Sequence, residues 1–307
     1  MDRYWGYVAV ITATVFFGVW NTFSKILLED LNPLALSALV YLVAGIFLLL
    51  VHFSPFNNRF MDILNKDTPV ETDFSKKNYI VLITTILAGA FIAPFVYLNG
   101  LDRITAVNAS LLLNVEILFI IIIGILFLKE TVQKKDIIGF GLLIIGTIFL
   151  ATNGDLSSIS VNEGIGSLLV IIAAFFWSID TTLSKFLSNK SDLIIITAVK
   201  CFSGGLILFL LSLMLGLSFK VPINHLPYLF FMGIFSIGIA FVLIYFSIRQ
   251  IGSTRTGSLF ALSSLFGAIF AFTFLKEPFT TIQALFGLIM ILGVFIIYKS
   301  EKGIDSK

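Results

Sequence analysis

The chain has 307 residues, 58% of them hydrophobic and 12% charged, with a mean hydropathy of +1.04 and a formal net charge of +2. Soluble domains are about a quarter charged, so this composition excludes an ordinary soluble enzyme. The small net charge also gives nucleic acid no electrostatic basis as a partner. Cys201 stands alone, so no internal disulfide forms, and no Cys/His spacing suggests a metal or cofactor site.

A helix crossing ~30 Å of hydrocarbon needs about 20 apolar residues. Ten runs meet or approach that length, over residues 5–28, 33–53, 78–98, 105–128, 136–152, 164–187, 192–215, 226–247, 254–275 and 281–298. The first is too long for the apolar core of a signal peptide, and no small-residue cleavage site follows it, so it is expected to remain as a helix. Between the second and third runs, residues 54–77 carry four acids and four bases. Phe56, Phe60, Ile63 and Leu64 fall there at helical spacing, so this loop is either a solvated linker, the favoured reading, or a short helix lying on the membrane surface. Pro94 sits inside the third run, where it removes the hydrogen bond to the Ala90 carbonyl and predicts a kink. Asn108-Ala-Ser110 has the form of a glycosylation triplet but falls at a helix start, which argues against modification.

Basic residues set orientation. With the N-terminus inside, fifteen Lys and Arg fall on the inner side and four on the outer, while Lys200 lies within a span. The count predicts that both termini are cytoplasmic and that the number of spans is even.

Two short stretches recur. FLKE occurs at 127–130 and 274–277, an offset of 147, and NTFSK at 21–25 matches TTLSK at 181–185, an offset of 160. The loop at 54–77 accounts for the difference. The FLKE register also pairs Gly146 with Gly293. Each half then holds five helices, an odd number, so the halves enter the membrane from opposite faces. The predicted fold is an all-α integral membrane protein of ten transmembrane helices, arranged as two inverted five-helix repeats over residues 1–153 and 154–307. Inverted repeats are the footprint of secondary transporters.

The stretches NASLLLNVEILFIIIIGILFLKE and FLKEPFTTIQALFGLIMILG, with the repeat, resemble the EamA branch of the drug/metabolite transporter superfamily over about residues 5–298. The resemblance implies a carrier of a small polar or amphiphilic, amino-acid-like metabolite in the cell membrane. This chain departs from the family pattern in having Ile117 rather than Pro after Glu116, and Tyr41 where Arg is frequent.

Ionisable groups within a span are costly and mark function by default. Glu116 lies near the middle of the fourth run and Lys200 inside the seventh. They are candidates to pair with each other, to bind an ionised substrate or to relay a proton. The 159-residue register places Tyr41 at the position of Lys200, as two walls of one cavity. Asp180, matched by Trp20, is expected either to pair with Lys185 or to line an inner vestibule. Asn114 adds an uncharged amide. Glu116, Lys200, Tyr41, Trp20, Asn114 and Asp180 are therefore the candidate substrate or coupling residues. The expected partners are a small-molecule substrate, the bilayer and a second copy of the chain. The glycines of the fifth and tenth runs suggest a packing seam.

A carrier of phosphorylated or nucleotide-linked sugars is the alternative within transport. An intramembrane enzyme would need a nucleophile and base that no motif here supplies, and a non-transporting membrane subunit is the remaining class. The charge count makes a direct prediction. In a Cys201→Ser background, a cysteine at Ser218 reacts with an impermeant thiol reagent outside intact cells, and one at Ser75 does not. The opposite labelling pattern would reverse the orientation.

Overall fold

Apolar runs become helices here because hydrocarbon offers no partner to backbone N–H and C=O groups, which must be satisfied within the segment. The computed structural model describes residues 4–55, 57, 64, 75–128, 134–151, 160–188 and 192–302. Among them are helices α1 (Tyr4–Leu27), α2 (Pro33–His52), α3 (Lys76–Leu101), α4 (Ala106–Leu112 continued by Val115–Leu128) and α5 (Lys134–Ala151). They are followed by α6 (Val161–Ser188), α7 (Leu193–Met214), α8 (Ile223–Ile251), α9 (Ser253–Phe260 continued by Leu262–Phe274) and α10 (Thr281–Lys302). Eight are long and apolar enough to cross a membrane; α5 and α10 carry the shorter apolar stretches Ile137–Gly146 and Thr281–Ile296. No strand occurs among the described residues. Large apolar side chains such as Leu50, Leu126, Leu210 and Leu288 are exposed, while Thr14, Ser110, Thr197 and Lys200 are buried. That inside-out distribution belongs to a multi-pass membrane protein.

Helix starts are fixed by side-chain caps. Asn32 Oδ1 accepts from the Leu34 N–H at 3.0 Å, with Pro33 in the first turn of α2. Asp192 Oδ1 accepts from Ile194 at 2.9 Å at the start of α7. Each oxygen satisfies a donor that the helix itself leaves free. Thr105 does the same for α4 through the Asn108 N–H at 3.2 Å, and Asn108 is buried, so the glycosylation triplet is closed to modification.

The helices pair in a cross-connected pattern. α2 lies antiparallel to α7, with Gly45 on the backbone of Phe202 and Gly205 on that of Leu42. α5 lies antiparallel to α10, with Gly146 on Met290 and Gly293 on the Gly139 carbonyl. The glycine seam predicted for these two helices is thus found, and it joins two parts of one chain. α1 packs on α8 and α9, and α6 packs on α3 and α4.

Two departures from regular helix break the predicted runs. α3 passes through a π-helical segment at Ile86–Ile92 and α8 through another at Met232–Ile239. α4 is interrupted at Leu113 and Asn114, and α9 at Ala261. The first π segment revises the expected effect of Pro94. Ala93 donates to the Ala88 carbonyl, five residues back, so the carbonyl that the missing proline N–H leaves open is that of Gly89 rather than Ala90. Tyr41 and Trp177 fill it: the Tyr41 hydroxyl and the Trp177 Nε1–H both donate to the Gly89 carbonyl at 3.2 Å.

The α2–α7 seam generates a stability prediction. A Cβ at Gly45 would collide with the Phe202 backbone, whereas one at Gly141 meets nothing within 4 Å. Gly45→Leu is expected to cost about 1–3 kcal/mol and to lower the melting temperature in detergent. Gly141→Leu is expected to leave it unchanged.

Candidate functional site

The interruptions of α4 and α9, at Asn114 and Ala261, border a cavity. Six helices line it, through Phe17 of α1, Asn114 and Glu116 of α4, Trp177, Asp180 and Thr181 of α6, and Lys200 of α7. Phe241, Tyr245 and Ile248 of α8, with Thr256, Phe260 and Ser264 of α9, complete the wall. The start of α1 meets the end of α8, since Gly6 rests on Gln250 and Ile251. Ile248 and Thr256 therefore place the cavity's far wall towards that end of the bundle.

Lys200 reaches across from α7 to α6 and forms a buried ion pair with Asp180. The Tyr245 hydroxyl accepts a second bond from its ammonium at 3.0 Å, and the Phe241 ring lies 4.6 Å below the charge. Ser184 donates to Asp180 at 3.3 Å and is 2.9 Å from the Tyr245 hydroxyl. This network satisfies both charges in a region that water reaches poorly, the condition for a buried pair to be tolerated. Its other support is Gly89, which leaves room for the carboxylate: any Cβ there would overlap Asp180.

The sequence-based pairings are corrected accordingly. Lys200 pairs with Asp180, not with Glu116, and Asp180 does not pair with Lys185. Sequence offsets compare equivalent positions and cannot see that α6 and α7 both pack against the π segment of α3, across which Lys200 reaches Asp180. Glu116 instead accepts from the Thr181 hydroxyl at 2.9 Å, and among the described residues no cation lies within ion-pair distance of it. Asn114 Oδ1 accepts from Ser264 at 3.0 Å, while its Nδ2 has no hydrogen-bond partner among the described residues.

Tyr41 and Trp20 do not line the cavity. Both are fully buried, Tyr41 in support of the Gly89 carbonyl and Trp20 stacked on Phe17 at 6.3 Å. The expectation of Tyr41 and Lys200 as opposing walls fails for this reason. Thr181, Tyr245, Trp177 and Phe241 were not singled out from the sequence. Tyr245 carried a usable signal, as a phenol within an otherwise apolar stretch of α8.

The opposite end of the bundle is closed by polar contacts. Lys25 Nζ donates to the Leu101 and Ile104 carbonyls at 2.7 and 2.8 Å. Both carboxylate oxygens of Glu277, the last residue of the second FLKE, accept from the Ala106 and Val107 N–H groups at 3.0 Å. An acid at a helix N-terminus is favoured by its free N–H groups and dipole. Gln283 donates to Asn108 at 2.8 Å, and Tyr97, Asn21 and Ser110 form a buried chain beneath. Glu130 of the first FLKE lies outside the described residues, as does most of the 54–77 loop.

A multi-pass helical membrane protein with a largely apolar cavity that holds a few ionisable groups is what the fold and site define. The EamA-like transporter family matches the chain twice, at residues 4–152 and 164–299, and the chain belongs to that family. An uncharacterized transporter of Methanothermobacter thermautotrophicus is 47% identical over 303 residues, covering 98% of this chain and 88% of that protein. The uncharacterized transporter YetK of Bacillus subtilis is 25% identical over 98% of this chain and 88% of its own. One solved crystal structure superimposes with a TM-score of 0.69 over 97% of this chain and 98% of that one, at 16% identity. It shows the shared fold.

The ion pair yields a prediction. Asp180→Asn leaves the Lys200 ammonium buried without its counter-charge, which is expected to cost about 3–5 kcal/mol and lower the yield of folded protein. The double variant Asp180→Asn, Lys200→Met recovers most of that loss. Glu116→Gln, by contrast, strands no cation and folds as the native chain does. Detergent melting temperatures of the four proteins check this.

Proposed function

We propose that the protein is a secondary transporter that carries a small polar or amphiphilic, amino-acid-like metabolite across the cell membrane by alternating access. The observation that carries this reading is the cavity: buried ionisable groups from helices of both halves converge on one space that is walled off at one end by a layer of hydrogen bonds. The proposed architecture is ten spans in two inverted five-helix repeats, residues 1–153 and 154–307, with both termini cytoplasmic. Three features support it. The family matches the chain in two successive segments. The pairing of α1 with α8 and α9 is mirrored by that of α6 with α3 and α4. The π segments of α3 and α8, and the interruptions of α4 and α9, fall at corresponding places in the two halves. Discontinuous helices around a central site are the form such repeats take in carriers.

On this reading the cavity faces the cytoplasm, and Lys25, Glu277 and the Asn108–Gln283 contact close the outer side. Glu116, Asn114, Asp180 and Lys200 form the substrate site, with Tyr41 and Trp20 as its second layer. The sugar-phosphate alternative is disfavoured, because the ammonium of Lys200 is already held by Asp180, Tyr245 and the Phe241 ring. The protein acts without chemical conversion of its cargo.

The test uses purified protein in liposomes, screened for flux with a panel of metabolites. Cysteines at Asn108 and Gln283, in a Cys201→Ser background, are joined by a short cleavable thiol cross-linker. Flux is expected to fall at least tenfold when the outer layer is locked and to return on cleavage. Undiminished flux through the locked protein, or no flux of any compound through the free one, would overturn alternating access.

A further inference from the structure

The cavity is not electrically balanced. Asp180 and Lys200 cancel within their own network, which leaves Glu116, among the described residues, without a cation in ion-pair range and with one hydrogen bond, from Thr181. One of its oxygens is bonded to Thr181, so the other remains available to the cavity. Asn114 is 1% exposed and its unpartnered Nδ2 is a second unmet demand, this time for an acceptor. An unpaired buried amide N–H₂ costs free energy comparable to a lost hydrogen bond, and it sits two residues from Glu116 across the interruption of α4. Facing these groups are aromatic rings. Phe17 lies 5.0 Å from Phe260 and 6.2 Å from Trp177, centroid to centroid, and all three line the cavity.

Taken together, the cavity presents one negative charge, one adjacent hydrogen-bond donor and an apolar aromatic wall. We infer that the cargo is an amphiphilic organic monocation: an ammonium group that meets Glu116, a neighbouring carbonyl-type acceptor that meets Asn114, and an apolar body against Phe17, Trp177 and Phe260. This inference rests on the transport reading and narrows its substrate class. An ionised carboxylate in a space that water reaches poorly is stabilised by a counter-charge, so the cation supplies what Glu116 lacks among the described residues. The aromatic faces add cation–π attraction to the same charge. An anion meets the reverse conditions, for it would approach Glu116 while the one lysine of the site stays engaged. A zwitterion brings a carboxylate into a space with a single free amide to receive it.

A series built on one ring isolates charge from shape. The probes are phenylalanine amide and phenethylamine as monocations, phenylalanine as zwitterion and phenylacetate as anion. Binding is read as the rise in melting temperature of the purified protein at millimolar ligand. The two amines are expected to stabilise it, the amide more than phenethylamine, and phenylalanine and phenylacetate to do so at least tenfold more weakly. Glu116→Gln is expected to reduce amine affinity at least tenfold, while Glu116→Asp, which keeps the charge, retains the preference for cations. Asn114→Ala removes the advantage of the amide over phenethylamine. Trimethyl(phenethyl)ammonium, which crosses lipid poorly, reports the same selectivity as flux in liposomes.

Equal stabilisation by cation and anion in the native protein would overturn the inference without recourse to any variant, as would amine affinity unaffected in a folded Glu116→Gln protein. Stabilisation by none of the probes would do the same. If phenylacetate or phenylalanine is instead carried, with flux that the outer cross-link blocks, the transport reading stands and the assignment of a cation fails. If no flux responds to the cross-link, the transport reading itself fails.

Discussion

The buried pair of Asp180 and Lys200 is the constraint around which the centre of the molecule is arranged. Withdrawing both ions from water costs several kcal/mol for each, which only close pairing and further hydrogen bonds offset. The pairing requires that α3 come close enough to wall in the carboxylate, and Gly89 is what permits it. That glycine lies in a π segment whose five-residue hydrogen-bond spacing moves the orphan carbonyl created by Pro94 onto Gly89 itself. Two further side chains, Tyr41 and Trp177, must then arrive from α2 and α6 to satisfy that oxygen. A single electrostatic requirement thus fixes the relative placement of α2, α3, α6, α7 and α8.

The two segments that match the family differ at this point. In the register that matches NTFSK with TTLSK, Trp20 occupies the place of Asp180, and Tyr41 the place of Lys200 to within one residue. Where one half has an ion pair, the other has two buried aromatic side chains. The cavity wall is consequently lopsided: the ion pair lies on α6 and α7, while α1 contributes the ring of Phe17 and α4 the carboxylate of Glu116. A lopsided site can tell one end of an amphiphilic molecule from the other, which a symmetric one could not.

The order of the helices was legible from hydropathy, because length and apolarity are local properties of a run. So was the glycine seam of α5 and α10, and Glu116, Asn114, Asp180 and Lys200, singled out as polar groups within apolar runs, line one cavity. Partners were not legible. Glu116 and Lys200 stand at similar depth, yet depth says nothing of rotation about the helix axis, and the rotation of α6 places Asp180 on Lys200 and Thr181 on Glu116. The π register was also hidden. A proline predicts a missing bond, but which carbonyl is left open depends on whether the helix counts back four residues or five. The interruptions of α4 and α9 left no proline or glycine pair to announce them, since Leu113, Asn114 and Ala261 are all compatible with a continuous helix.

The duplicated FLKE takes on a mechanical meaning from the place of Glu277. Its carboxylate holds two backbone N–H groups at the first turn of α4, in the other half of the chain. Those bonds lie at a helix end, where water can replace each of them almost without loss. The contacts of Asp180 with Lys200 lie where water is scarce, and nothing can replace them cheaply. The bonds at this rim are therefore the cheaper ones to exchange for water, and those of the ion pair at the middle the costlier.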